Sequence, residues 1–166
     1  MIDEPKQGTV ANWTGSTLEK TIVGTLVSKG FQLVAYRDYT KSPQSYGEEL
    51  LLRNVPFITI YGHNGTTEFL LKSKKYNLNI RIEAKWQQIS GSVDEKYPYL
   101  YLNCIEAMPE SDIIIVIDGG GAKQGAVNWL RNATANQKYC CDEQKRKKIK
   151  VMNLTEFLVW ANNTFR

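Results

Sequence analysis

The sequence predicts an α/β protein: a mixed central β-sheet flanked by helices. Two observations carry that prediction. Three strand-like runs, Phe57 to Tyr61, Thr66 to Lys72 and Leu78 to Trp86, follow one another with only turn residues between them, as in an antiparallel meander. Farther on, Asp112 to Asp118 encloses an unbroken apolar run, the pattern of a strand covered on both faces. Helical patterns precede, separate and follow these strands, so helices should layer onto a sheet.

Residues 1–15 read as a loose N-terminal arm. Ser16-Thr-Leu-Glu19 then forms a capping-box pattern, in which each end of the tetrapeptide satisfies a backbone N–H of the other. The helix it opens carries Leu18, Ile22, Val23 and Leu26 on one face and stops at Gly30. Phe31 to Tyr36 is a short extended segment. Residues 37–48, with Pro43 and Gly47, form an irregular polar loop, and Glu48 to Arg53 a turn of helix. The first strand, Phe57 to Tyr61, is rich in β-branched and aromatic residues. Asn64-Gly65 turns it into the second strand, because Asn-Gly tolerates positive φ. Tyr76-Asn77 turns the second into the third. A second capping-box pattern, Ser92-Val-Asp-Glu95, introduces a helix over about 94–107. Within it, Tyr97, Tyr99 and Tyr101 alternate with Pro98, Leu100 and Leu102, which a strand would also do. A helix over 124–133 carries Val127, Trp129 and Leu130, Ile149 to Met152 forms a last strand, and Asn153 caps a final helix over 154–163. No repeat, low-complexity tract or linker interrupts the 166 residues, so they form one domain.

A chain of this length buries roughly 70% of its unfolded surface. With 42% hydrophobic and 23% charged residues, it is neither disordered nor a disulfide-stapled mini-protein. Its longest apolar run, Ile113 to Ile117, is far short of the ~20 residues a membrane span needs. The opening Met1-Ile-Asp-Glu-Pro is acidic and unlike a signal peptide, so a cytoplasmic protein is expected. The Asn-x-Ser/Thr sequons at Asn12, Asn64, Asn132, Asn153 and Asn162 then follow from composition alone. Cys104, Cys140 and Cys141 lack zinc-ligand spacing, and His63 is the one histidine; reduced thiols are expected.

The formal charge of +4 is unevenly placed. Residues 138–150 hold six Lys/Arg against two acids, and the rest of the chain is neutral. The run Lys145-Arg146-Lys147-Lys148 suits a polyanion such as DNA; its plain alternative is a solvated loop.

The third strand carries the chemistry. Side chains alternate faces along a strand, so Leu78, Ile80, Ile82 and Ala84 share one face and Asn79, Arg81, Glu83 and Lys85 the other. Glu68, on the preceding strand, can approach Glu83 from the side. Two neighbouring carboxylates repel unless a cation lies between them, and hard oxygen ligands suit Mg²⁺. A lysine beside them can orient water and offset charge building on a transition state. A lone Glu-x-Lys on a strand is by itself more often a solvated surface feature.

The order of elements changes that weighting. Gly65-Thr-Thr-Glu68-Phe-Leu-Leu, then Ile82-Glu83-Ala84-Lys85, with an acid-bearing helix upstream, resembles the PD-(D/E)XK nuclease superfamily. Glu83-Ala-Lys85-Trp-Gln-Gln88 is also similar to a Glu-x-Lys-x-x-Gln variant of its motif. The resemblance implies a restriction-endonuclease-like core and Mg²⁺-dependent cleavage of DNA, with Mn²⁺ as substitute. It implies metal ligation by Glu68, Glu83 and the carbonyl of Ala84, with Lys85 assisting the attacking water, and a 5′-phosphate product. Thr67 stands where the family's proline would be, and Glu68 replaces the usual aspartate. Glu19 is either a metal-proximal acid of the first helix or simply half of the capping box. Gln88 either orients substrate or water or is a polar exit residue.

Asp118-Gly-Gly-Gly-Ala-Lys123 is a glycine-rich turn before a helix. Its spacing fits neither a Walker A loop nor a dinucleotide fingerprint, so no nucleotide cofactor is expected. Lys123 and the turn's amides would contact a DNA backbone, or the turn is merely flexible. Trp13, Trp86, Trp129 and Trp160 read as core or half-core anchors, with Trp86 on the apolar face. The three alternating tyrosines either line an oligomer interface or pack beneath the sheet. His63 reads as an exposed turn residue. The expectation is a small Mg²⁺-dependent DNA endonuclease acting as a homodimer, with two sites across a duplex. The alternative is a non-catalytic DNA-binding or assembly module, and a nucleotide-binding domain using residues 118–123 ranks last.

Overall fold

The computed structural model describes residues 16–166; the predicted N-terminal arm, with Trp13, lies outside the described residues. Six strands form one sheet in sequential order: β1 (Gln32–Ala35), β2 (Glu49–Ile58), β3 (Asn64–Ser73), β4 (Leu78–Trp86), β5 (Asp112–Asp118) and β6 (Lys148–Met152). The β2–β3–β4 meander is antiparallel, while β1 joins β2, β5 joins β4 and β6 joins β5 in parallel. The sheet is therefore mixed, as expected.

Five helices cover it: α1 (Thr17–Ser28), α2 (Tyr36–Lys41), α3 (Tyr97–Leu102), α4 (Gln124–Ala135) and α5 (Leu154–Thr164). On one face, Leu18, Ile22 and Leu26 of α1 and Phe157 and Ala161 of α5 pack on Phe69, Leu71, Ile80, Ile82, Ile114 and Val116. On the other, Tyr97, Tyr101 and Leu130 from α3 and α4 cover Ile113, Ile115 and Ile117. The apolar run of β5 thus supplies both cores by alternation. A third cluster sets Tyr36 and Tyr39 of α2 over Val34, Leu50, Leu52 and Leu70.

Several expectations are corrected. Glu48 to Arg53 is not a turn of helix: from Glu49 onward it is the first half of β2, because Leu50, Leu51 and Leu52 are paired between β1 and β3; sheet pairing on both sides overrides a leucine-rich helical preference. The strand read over Phe57 to Tyr61 ends at Ile58, and Thr59–His63 is the hairpin turn. Helix α2 takes Tyr36 from the predicted extended segment and residues 37–41 from the predicted loop. The segment 94–107 is helical as predicted, but Ser92 and Glu95 make no capping box; a 3₁₀ turn (Asp94–Lys96) leads into α3, and a π-helical turn (Asn103–Ala107) leaves it. The strand alternative for the tyrosines falls with it. Trp86, at the end of β4, is partly exposed rather than in the core, whereas Trp129 and Trp160 are half-buried anchors.

One buried ion pair ties the meander to β5. Arg81 of β4 is 2% exposed. Its guanidinium grips the Glu110 carboxylate with two N–H groups, donates to Thr67 Oγ1 at 2.7 Å, and reaches the Val55 carbonyl at 3.3 Å. The ring of Phe57 lies 5.5 Å from the guanidinium carbon. A buried arginine is tolerable because its donors are so fully occupied. Glu110→Ala should strand that charge and cost about 3–5 kcal/mol, read from urea unfolding midpoints. Replacing both partners with apolar residues, Arg81→Met with Glu110→Leu, should restore most of the loss. Wild-type stability in the single mutant would contradict this account.

Candidate active site

The site lies where the sheet opens. The β3–β4 ladder runs from Ser73↔Leu78 to Phe69↔Ile82 and stops. One further step would put Glu68 opposite Glu83, and like charges facing each other across strands are destabilising. On its other side, β3 pairs with β2 at Arg53↔Phe69 and again at Val55↔Thr67, but not between. Asn54, in that gap, has φ 56°, a left-handed conformation asparagine tolerates better than most residues. Glu68 therefore has no ladder partner on either side, and its side chain replaces one: Oε2 accepts the Ala84 N–H at 2.8 Å.

Lys85 fills the space between the carboxylates. Its Nζ lies 2.7 Å from Glu83 Oε2 and 3.6 Å from Glu68 Oε1. Apart from this close ammonium contact, Glu83 Oε2 has no partner among the described residues. Burial first, then the charge of Glu68, push the Glu83 carboxyl up to about 8. Burial alone would lower the Lys85 ammonium, but the charges of Glu83 and Glu68 outweigh it and raise its pKa. Lys85 thus remains a cation at neutral pH.

Glu19 belongs to the N-terminal cap of α1 and also lies near the carboxylate pair. The Ser16 hydroxyl accepts the Glu19 N–H at 3.2 Å, which makes the N-cap. The Glu19 carboxyl also sits within electrostatic reach of the site: burial and then Glu68 raise its pKa, against the lowering effects of Ser16 and Lys85.

Glu83 and Lys85 open to solvent through a cleft of about 310 Å³, lined also by Thr59, Gly65, Lys96, Tyr99 and Asn103. A larger hollow of about 530 Å³, between Tyr46, Glu48 and Lys72, holds none of the predicted site residues. Among the described residues, every buried side-chain polar atom lacking a hydrogen-bond partner belongs to Glu83, Gln87, Asp94 or Tyr97. Tyr97 lies within electrostatic reach of both Asp94 and Lys85. Sequence reasoning missed all three neighbours. Alternation through Glu83, Lys85 and Gln87 was the available signal for Gln87; it chose Gln88, which is exposed just past the strand. Nothing local marks Asp94 or Tyr97, which the packing of α3 brings in.

The other predicted contacts lie elsewhere. Lys148 pairs with Asp112, which pairs with Ile80. The basic run thus starts three to five residues back along the sheet from Glu83 and Lys85, roughly 10–17 Å at ~3.3 Å per residue. Lys145 and Arg146 are exposed and lie near Asp142 and Glu143. Lys147 is turned inward, donating to the carbonyls of Cys104 and Met108 at the π-helical turn, and burial lowers its pKa. It serves as a helix cap, a correction to its reading as a DNA contact. Lys123 is exposed at the start of α4.

The glycine-rich turn is packed down, and two of its amides are already used within the protein. Gly121 N–H donates to the Gln87 carbonyl at 2.7 Å, and Gly119 N–H to the Asp118 carboxylate at 2.7 Å. A Cβ at Gly119 would lie 2.3 Å from the Gln87 oxygen, and one at Gly121 2.5 Å from backbone atoms of Gln88 and Ile89. These glycines let the turn lie directly on the chain leaving β4. The other Asp118 oxygen accepts the Leu154 N–H at 2.9 Å, at the start of α5.

The donor set fits a hard divalent cation. Two carboxylates converge, and the close neighbour of Glu83 Oε2 among the described residues is the displaceable Lys85 ammonium. The Ala84 N–H faces the opened edge, and in a strand a residue's carbonyl points to the same edge as its N–H. No three His, Cys, Asp or Glu side chains among the described residues form a tighter metal cluster. An ammonium already compensates the negative charge where such a cation would act.

Two predictions follow from this geometry. In metal-free protein, native Glu83 keeps a proton that the unfolded chain releases above its ordinary value of 4.5. The native state then binds more protons, so stability falls as pH rises from about 4.5 through about 8. Glu83→Gln should flatten that slope in urea titrations; an unchanged slope would assign it to another group. Separately, Gly121→Ala should lower the thermal midpoint while Lys123→Ala leaves it unchanged. Equal midpoints for both would refute the packing role of the turn.

The PD-(D/E)XK nuclease superfamily domain matches residues 10–165. No curated protein and no solved structure matches the chain significantly. The match spans nearly the whole chain and agrees with the mixed sheet and the Glu-x-Lys strand, and the chain belongs to the PD-(D/E)XK nuclease superfamily.

Proposed function

We propose that the protein is a divalent-metal-dependent DNA endonuclease that hydrolyses phosphodiester bonds with water. The observation that supports this reading is the convergence of Glu68 and Glu83 at the opened edge of β4, with the Lys85 ammonium between them. Glu68, Glu83 and the Ala84 carbonyl would hold Mg²⁺, with Mn²⁺ able to replace it. When bound, such an ion polarises a phosphoryl oxygen and lowers the pKa of its water.

Lys85 is cationic at working pH, so it donates hydrogen bonds and does not accept the proton of water. Freed from Glu83 by a stronger cation, its ammonium can orient the nucleophile and offset charge on the phosphoryl oxygens. Glu68 is already held by the Ala84 N–H, so the site has little side-chain freedom to lose on binding. Glu19 adds negative charge at the edge of the set and would strengthen cation binding. In a homodimer, two such sites could address the two strands of a duplex.

The test is cleavage of supercoiled plasmid with Mg²⁺, Mn²⁺ or EDTA. Wild type should cut with either metal and not in EDTA. Glu83→Ala and Lys85→Ala should each lose about 10²-fold or more in rate. Wild-type activity in either mutant would refute the assignment. Salt-sensitive DNA binding without cleavage by wild type would favour a non-catalytic binding module.

A further inference from the structure

We infer that Tyr61, stacked on Tyr99 at the mouth of the cleft, is a platform for an unpaired base. The preferred substrate would then be single-stranded or frayed DNA rather than an intact duplex. This rests on the nuclease reading above and adds a substrate class to it.

Tyr61 is 68% exposed, a high value for a large aromatic side chain. It stands on a turn that is held in place. Thr59 N–H donates to the His63 carbonyl at 2.8 Å, Gly62 N–H to the Thr59 carbonyl at 2.8 Å, and Ile60 N–H to the buried Asn103 side chain at 2.9 Å. The exposed ring is therefore displayed by a braced loop. One face lies against Tyr99, with ring centroids 5.0 Å apart and planes at 25°, close to an offset stack. His63 stands edge-on at 6.3 Å. Tyr97 and Tyr101 are buried in the core under α3, so the three tyrosines form no common interface stripe. Tyr99 alone turns outward to meet Tyr61.

The chemistry changes inward from this pair. Tyr99 and Lys96 line the same cleft as Lys85 and Glu83. An aromatic face at the rim, with two ammonium groups and the buried Glu83 carboxyl in the same cleft, matches a nucleotide entering base-outward with its phosphate leading. Protein partners do not require cations converging on a hydrolytic site; a phosphodiester does. The free face of Tyr61 also discriminates between DNA forms. In an intact duplex both faces of an internal base are covered by its neighbours, so stacking is open to ends, flaps, loops and single strands. Stacking of one base on an aromatic side chain is worth ~1–3 kcal/mol, or roughly 5- to 150-fold in affinity.

The experiment measures fluorescence anisotropy in EDTA, where nothing is cut, with a labelled single-stranded oligonucleotide of mixed sequence and its duplex as probes. Wild type should bind the single strand more tightly. Tyr61→Ala should weaken single-strand binding roughly 5- to 150-fold and leave duplex binding unchanged, while Tyr61→Phe should retain wild-type affinity. Thermal melting checks that both variants are folded. Single-strand affinity unaltered by Tyr61→Ala, equal losses in the Ala and Phe variants, or a wild-type preference for duplex would each overturn the platform. If plasmid cleavage by wild type persists alongside any of these results, the nuclease reading stands and only the platform falls. If wild type cuts neither single-stranded nor duplex DNA with metal, the nuclease reading itself fails.

Discussion

The organising constraint in this molecule is that two carboxylates would face each other if the β3–β4 ladder continued one step. The chain resolves the conflict by ending the ladder at Phe69↔Ile82. Asn54 breaks the pairing on the far side. The strand edge freed in this way is capped by the Glu68 carboxylate on Ala84, and the remaining charge is met by Lys85. A repulsion that would weaken an ordinary sheet thus creates a place for a cation. The high pKa of Glu83 expresses the same conflict: burial and a second carboxylate both oppose its charge.

The surrounding fold keeps that opening from spreading. Two residues before Glu83, Arg81 fastens β4 to Val55, Thr67 and Glu110. Two residues beyond Lys85, the glycine turn lies on the backbone of Gln87 and Gln88. Asp118 links that turn to the start of α5, whose other residues pack with α1 over the sheet. The functional strand is therefore clamped on both sides of a short segment that lacks its β3 partner, so site geometry and stability depend on the same few contacts.

Much of this was legible in the sequence because it rests on short-range periodicity. The alternation in Leu78–Trp86 placed Glu83 and Lys85 on one face, the Tyr76-Asn77 turn brought β3 beside β4, and the apolar run of β5 announced two covered faces. What failed depended on contacts distant in sequence. Leu50 to Leu52 read as helical because nothing local reveals pairing to strands on both sides. Lys147 read as part of a solvated basic run because the carbonyls it caps lie some forty residues earlier. The glycines suggested a phosphate loop, whereas their small size serves contact with the exit of β4. Tyr97 comes within electrostatic reach of Lys85 through helix packing, which no spacing encodes. Glu19 is instructive in another way: its backbone N–H is held by the Ser16 cap while its carboxyl lies near Glu68 and Lys85, so the two readings do not compete.

The account predicts that the site and the proposed chemistry share a single cation position, which Mn²⁺ can report through its anomalous scattering. Crystals soaked in Mn²⁺ should show one strong peak between Glu68 and Glu83, within ligand distance of the Ala84 carbonyl, with Lys85 Nζ withdrawn from Glu83. A map without that peak, with Lys85 still lodged between the two carboxylates at saturating Mn²⁺, would contradict the central claim.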